Sequence, residues 1–200
     1  MHLFLRLAAG LLLLAARATA QTSPTTLTAS ALKVGETAPA FTGQDVAGRP
    51  VELRPLLAKG PVVLYFYRGQ WCPYCNKQLS ELQDSLRFLT VKGAQVVIVT
   101  PEAPENIEKT VVKTKASFPI IHDRDFAIMT AYHTAFTLDV ATAKKYQGYG
   151  IDLKKANGAD VDVLPVPATY VIGRDGKITF AFFDPDYRRR ASVRQVAAAL

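Results

Sequence analysis

Pro61–Tyr67 (PVVLYFY) is an unbroken apolar, β-rich run, and Ala94–Thr100 (AQVVIVT) repeats the pattern one helix-length later. A strand without polar alternation is buried on both faces, as in a parallel sheet covered by helices on each side. Between the two runs Leu79, Leu82, Leu86 and Leu89 recur at spacings of three and four. This predicts a helix over 73–92 with one apolar face, ended by Gly93.

The pattern continues downstream. Residues 101–118 carry Glu early and Lys late, which suits a helix dipole. Residues 118–122 form a short strand, and 123–133 a short helix. Thr169–Ile172 and Ile178–Phe183 are strands joined by Gly173-Arg174-Asp175-Gly176, a hairpin signal. Residues 187–200 form a closing helix. The whole is an α/β chain with a central mixed β-sheet flanked by helices on both faces. Residues 134–166, with a helix near 139–148, read as an insertion before the hairpin.

Composition excludes several classes. With 49% apolar and 20% charged residues, the chain is neither disordered nor low in complexity. The net charge of +7 is spread thinly. Its one cluster, Arg188-Arg189-Arg190 with Arg194, reads as a solvated face of the last helix, so no nucleic-acid partner is indicated. No apolar run reaches the roughly 20 residues that span a bilayer. Residues 1–20 instead combine Arg6, the apolar block Leu7–Ala16 and Ala18-Thr19-Ala20, the three ordered parts of a secretory signal peptide. Cleavage would leave Gln21–Leu200, exported to the periplasm or secreted, with no remaining membrane attachment. Residues 21–32 are small, polar and Thr-rich and read as a flexible leader, with the domain beginning near Lys33.

The chemistry rests on Trp71-Cys72-Pro73-Tyr74-Cys75, which lies where the buried strand hands over to the helix. A helix N-terminus presents unpaired N–H groups and the positive end of the dipole, and both stabilise a thiolate. Cysteines at this spacing can cycle between dithiol and disulfide. A purely structural disulfide across two residues would constrain the unfolded chain little. A zinc site would need further ligands, and His122 and His133 are spaced wrongly for one. No metal or cofactor is therefore expected. Pro167, after Val166 and before a strand, admits two readings. It is a cis proline that leaves the backbone of Val166 free to pair with an incoming chain, or an ordinary trans proline at a strand start. His122 reads as a satisfied structural side chain. Asp184, Asp186 and Tyr187 read as a turn and helix start, and Phe180, Phe182 and Phe183 as sheet packing.

The stretches YFYRGQWCPYCNKQLSELQ, VVIVTPE and LPVPATYVIGRDGKITFAFFDPDYRRR together resemble the AhpC/TSA peroxiredoxins, specifically a branch carrying a thioredoxin-style CxxC. The resemblance spans about residues 33–200 and implies a thioredoxin-like fold. It also implies a peroxidase that reduces hydrogen peroxide or organic hydroperoxides and is recycled by a thioredoxin-like donor. In the family's Pro-x-x-x-Thr/Ser-x-x-Cys pattern the peroxidatic cysteine corresponds to Cys75, the Thr position to Cys72 and the Pro position to Arg68. The family's distant Arg corresponds to Pro167. Arg68 could supply part of the missing positive charge, or sit at the surface as an ordinary strand-end Arg. Trp71, Pro73, Tyr74, Val166 and Pro167 would support the pair, and Cys72–Cys75 would be the redox disulfide. The competing activity is an exported thiol–disulfide oxidoreductase, with Cys72 striking first. A redox-sensing or metal-carrying module is the non-enzymatic alternative.

Overall fold

A computed structural model describes residues 28–200; residues 1–20, read above as a signal peptide, and residues 21–27 of the leader lie outside them. In chain order the elements are β1 (Thr42–Gln44), β2 (Pro50–Glu52), α1 (Leu53–Lys59), β3 (Val62–Phe66), α2 (Pro73–Asp84), α3 (Arg87–Thr90), β4 (Gln95–Thr100), α4 (Pro104–Thr114), β5 (Ile120–His122), α5 (Ala127–Ala131), β6 (Ala135–Thr137), α6 (Val140–Gly148), α7 (Leu153–Asn157), β7 (Val163–Pro165), β8 (Ala168–Ile172), β9 (Ile178–Phe183) and α8 (Val193–Ala198).

Five strands form the central sheet in the order β5-β4-β3-β8-β9. β3 pairs in parallel with β4, and β4 with β5, whereas β3–β8 and β8–β9 are antiparallel. The sheet is mixed, as expected. Every residue of β3 is buried, which is why its sequence shows no alternation. Val62, Leu64 and Phe66 join a core with Leu53 of α1 and Ile128 and Met129 of α5. Val63 and Tyr65 face the opposite core, built with Leu79 and Leu82 of α2, Ile107 of α4 and Val196 of α8. Each face is thus covered by its own helices.

Several boundaries differ from the sequence expectations. The helix over 73–92 breaks at Ser85–Leu86 into α2 and α3, where short polar Asp84 and Ser85 favour helix ends over helix interiors. Its apolar face survives the break, with Leu79, Leu82 and Leu89 all buried. α4 stops at Lys115, which takes a left-handed φ of 56°. α5 starts late because Asp123 accepts the Ile128 and Met129 N–H groups at 3.0 and 2.8 Å. The closing helix begins at Ser192, which forms a capping box with Gln195; residues 187–191 precede it as irregular chain. At the other end, Ser30 N–H donates to the His133 carbonyl at 2.7 Å, and Leu32 is buried. Packing therefore begins inside the segment read as a flexible leader.

Residues 134–166 form a small body of their own. β6 and β7 pair antiparallel, Asp139 and Asp152 cap α6 and α7, and Leu138, Leu153 and Leu164 make a minor core against which Trp71, Phe136 and Tyr146 pack. The insertion is docked onto the segment that carries the cysteines.

Candidate active site

β3 runs into Tyr67, Arg68 and a turn, and Cys72 then takes the N-cap position of α2, with Pro73 at its first turn. Proline belongs there because the first N–H of a helix has no intrahelical partner. Cys72 N–H donates to the Gly69 carbonyl at 3.0 Å, and Cys75 N–H to the Cys72 carbonyl at 3.1 Å. Gly69 has a φ of 153°, and a Cβ on it would lie 2.5 Å from Trp71 Nε1 and 3.0 Å from Glu102 Oε1. Only glycine fits, so this residue holds the turn tightly against its neighbours.

Glu102, at the end of β4, ties the turn down from below. Its Oε1 accepts the Gln70 N–H at 2.7 Å, and its Oε2 accepts the Tyr67 hydroxyl at 2.9 Å. Burial pushes the Glu102 carboxyl up to about 7 despite these donors, and the negative charge of Cys75 adds to the rise. VVIVTPE placed Glu102 next to a strand end, but no signal in the sequence marked its carboxylate as lying beneath the cysteines.

Both sulfurs are free thiols, and both are buried, with exposures of 1% for Cys72 and 0% for Cys75. Cys72 alone of the two borders a cavity of about 390 Å³, together with Arg68, Trp71, Pro73 and Tyr74. Cys75 is electrostatically distinct. Arg190 Nη2 lies 3.6 Å from its Sγ, and Arg190 Nε is held by Gln78 Oε1 at 2.9 Å. Burial alone would raise the Cys75 thiol. Its pairing with Cys72, the Arg190 charge and the Arg68 backbone N–H outweigh that and bring it to about 6. Cys72 moves the other way, raised by its interaction with Cys75 and by burial. One thiolate is stabilised at the expense of its neighbour.

The charge-run reading of 188–190 therefore fails at one residue. Arg188 and Arg189 are exposed and pair with Asp186 and Asp184 at 2.8 and 3.3 Å. Arg190 turns inward instead. The chain between β9 and α8 is irregular, so it can deliver a guanidinium to the sulfur from a direction that helical periodicity would not suggest. Positive charge reaches Cys75 from Arg190.

Arg68 is 4% exposed rather than at the surface. Its guanidinium lies over the rings of Trp71, Tyr146 and Tyr187 at 5.0, 5.4 and 4.4 Å and hydrogen-bonds the Tyr146 hydroxyl. Its Nε has no partner. Tyr187, read as part of a turn and helix start, is instead a wall of this cage, although Asp184 does build the turn by accepting the Asp186 N–H at 2.9 Å. Tyr74 leans edge-on against Tyr187 at 5.7 Å.

Val166 and Pro167 border a neighbouring cavity with Arg68, Phe136, Tyr146 and Tyr187. Among the described residues there is no cis peptide bond, so Pro167 follows the trans alternative. The N–H of Val166 is also not free: it donates to the Thr134 carbonyl at 2.8 Å, because β6 has already docked beside β7. His122 borders a different cavity, with Asp45 and Arg124. Its Nε2 lacks a partner, so it is not the satisfied side chain expected.

The AhpC/TSA family model matches residues 34–181. The chain belongs to the AhpC/TSA family. Among AhpC/TSA-type relatives, a Mycobacterium tuberculosis (strain H37Rv) protein named as a peroxiredoxin, Rv2521, is 31% identical over 76% of this chain and 86% of its own length. The thiol-disulfide oxidoreductase ResA of Geobacillus thermodenitrificans is 28% identical over 74% of this chain and 68% of its own. The crystal structure of peroxidoxin BcpB from Mycobacterium tuberculosis superposes with a TM-score of 0.67 at 20% identity, covering 84% of this chain and 96% of that one. That likeness establishes the thioredoxin-like fold common to AhpC/TSA proteins.

Proposed function

We propose that this enzyme is a thiol-dependent peroxidase in which Cys75 is the attacking thiolate and Cys72 the resolving thiol. The observation that carries this reading is the Arg190 guanidinium 3.6 Å from Cys75 Sγ. A positive donor at that distance stabilises the thiolate. It is also placed to hold the peroxide oxygens as charge develops on the leaving one.

The thiolate attacks the nearer peroxide oxygen and the O–O bond breaks. Sulfur is oxidised to the sulfenic acid, and the leaving oxygen takes a proton to depart as water or an alcohol. The Cys72 thiol then displaces hydroxide from the sulfenic sulfur, its proton leaving with that oxygen as water, and a Cys72–Cys75 disulfide remains. Two electrons from a thioredoxin-type dithiol restore the pair by exchange. Rapid mixing of reduced enzyme with hydrogen peroxide tests the cycle: one disulfide should form per peroxide consumed. Peroxide left unconsumed while the thiols stay free would refute it.

A second reading, disulfide exchange on exported proteins, has one observation in its favour: Cys72, not Cys75, borders the open cavity. Against it, the Val166 N–H is already engaged by Thr134 and is not there to receive a substrate chain. Reduction of insulin disulfides by the enzyme would favour this second activity.

Export rests on the ordered pattern of residues 1–20. The exported protein should begin at Gln21 on N-terminal sequencing, and a chain retaining Met1 in the cytoplasm would overturn that assignment.

A further inference from the structure

The cavity beside Cys72 has a chemical bias that the peroxidase cycle does not use. It is bordered by Arg68 and Lys145, with Thr142, Tyr146, Tyr149 and Tyr187, and no Asp or Glu contributes to its lining. Arg68 is a buried cation. Among the described residues no carboxylate pairs with it, and its Nε has no hydrogen-bond partner. Three aromatic rings take up its faces and the Tyr146 hydroxyl accepts from Nη2, which leaves Nε as the in-plane N–H without a partner. A buried guanidinium without an anion is costly, and its fork geometry matches a carboxylate.

The sulfur in this cavity is the end of the disulfide that a reductant must attack. Exchange is fastest when the expelled thiol is the more acidic one. Arg190 makes Cys75 that leaving group, so the incoming thiolate strikes Cys72. Access is narrow: Cys72 is 1% exposed, and Thr142, Lys145, Tyr146 and Tyr149 of the insertion stand beside it. A folded redoxin presents its cysteine on a broad surface, whereas a cavity of about 390 Å³ suits a small molecule.

We propose that this cavity admits a small thiol bearing a carboxylate, which Arg68 receives while the thiol reduces the disulfide at Cys72, as an electron source alongside a thioredoxin-type donor. This rests on the redox cycle proposed above. The thiolate forms a bond to Cys72 Sγ, the Cys72–Cys75 bond breaks, and Cys75 leaves as thiolate. A second molecule of the same thiol attacks the mixed disulfide, releasing its oxidised dimer and the Cys72 thiolate, which takes up a proton.

The full enzyme, oxidised with diamide so that no peroxide step is involved, is mixed with 3-mercaptopropionate, 2-mercaptoethanol or cysteamine. Trp71, the only tryptophan, lies against the site and reports reduction by its fluorescence. Corrected for thiolate concentration, mercaptopropionate should react about tenfold faster than mercaptoethanol, the equivalent of one charge-assisted hydrogen bond. Cysteamine should be the slowest. Arg68→Met should reduce the mercaptopropionate rate to that of mercaptoethanol. Lys145→Gln, at an exposed position, should narrow the gap without threatening the fold. Lys59→Gln, on α1 across the sheet, should leave it unchanged and so excludes a general field effect.

Equal rates for the three thiols on the unmodified enzyme overturn the proposal, as does a preference that survives Arg68→Met. If that variant fails to fold, the wild-type ratio and Lys145→Gln decide. A preference seen in an enzyme that consumes no peroxide would uphold this site and refute the peroxidase reading. Failure of diamide to form the disulfide refutes both.

Discussion

Cys75→Ser is expected to lose peroxide turnover by about a thousandfold or more, the scale seen when an attacking nucleophile is removed. A serine hydroxyl is not ionised near neutral pH and its oxygen cannot be oxidised to an analogue of the sulfenic acid. Cys72→Ser should behave differently. Its hydroxyl can still donate toward the Cys75 thiolate, so the first step should run once and stop. The sulfenic acid, lacking a partner, should persist and be trapped by dimedone at Cys75. Mass spectrometry of the two variants after a single dose of peroxide distinguishes these outcomes. A dimedone adduct on Cys72 in Cys75→Ser, with none on Cys75 in Cys72→Ser, would reverse the assigned order of attack.

Arg190→Met should produce the second largest loss, about a hundredfold at pH 7, comparable to removing one donor that stabilises a developing charge. The mechanism predicts its pH dependence. In the wild-type enzyme the Cys75 thiol is lowered to about 6, so the rate should be near its plateau by neutral pH. Without the guanidinium the midpoint should move upward. Raising the pH should then recover the part of the loss due to ionisation and leave the part due to peroxide orientation. Stability should follow the same linkage. A folded-state thiol held below its unfolded value of about 8.5 contributes stability that is present above that value and lost as pH falls through about 6. This contribution should be smaller in the reduced Arg190→Met protein, which keeps the Cys72 hydrogen bond and the Arg68 N–H. Denaturation of both proteins between pH 6 and 9 measures the difference, and identical pH profiles would show that Arg190 does not act on Cys75. Glu102 opposes this trend in both proteins. Its raised carboxyl favours the fold below the ordinary carboxylate range and ceases to as pH rises through about 7.

The sheet was legible because β3 and β4 show no alternation and are buried on both faces, and no other element explains seven consecutive apolar residues. The placement of Cys72 and Cys75 at a helix start was legible for the same reason, since the strand and the leucine spacing leave the turn only a few residues. Helix ends were less legible. They depend on single side chains such as Asp123, whose carboxylate caps from four residues ahead of α5, and on Lys115, whose left-handed backbone no local propensity demands. The sequence correspondence assigned Pro167 to the family's arginine position and offered Arg68, not Arg190, as a partial replacement for its charge. Arg190 was hidden because its neighbours Arg188 and Arg189 are the solvated charges that such a run suggests, and only the irregular chain before α8 sends one of the three inward. Arg68 was hidden for a different reason: the three rings that bury it come from Trp71 nearby, Tyr146 in the insertion and Tyr187 beyond β9, which meet only in three dimensions.

The insertion and the chain after β9 influence the sulfur pair from opposite sides. α6 lines the approach to Cys72, while Arg190 helps to make Cys75 acidic. Reactivity thus draws on the chain after β9, whereas selectivity draws on the insertion together with Arg68 and Tyr187. Grafting a different loop into 134–166 should retune which molecules this enzyme trades electrons with while leaving its appetite for oxidant intact.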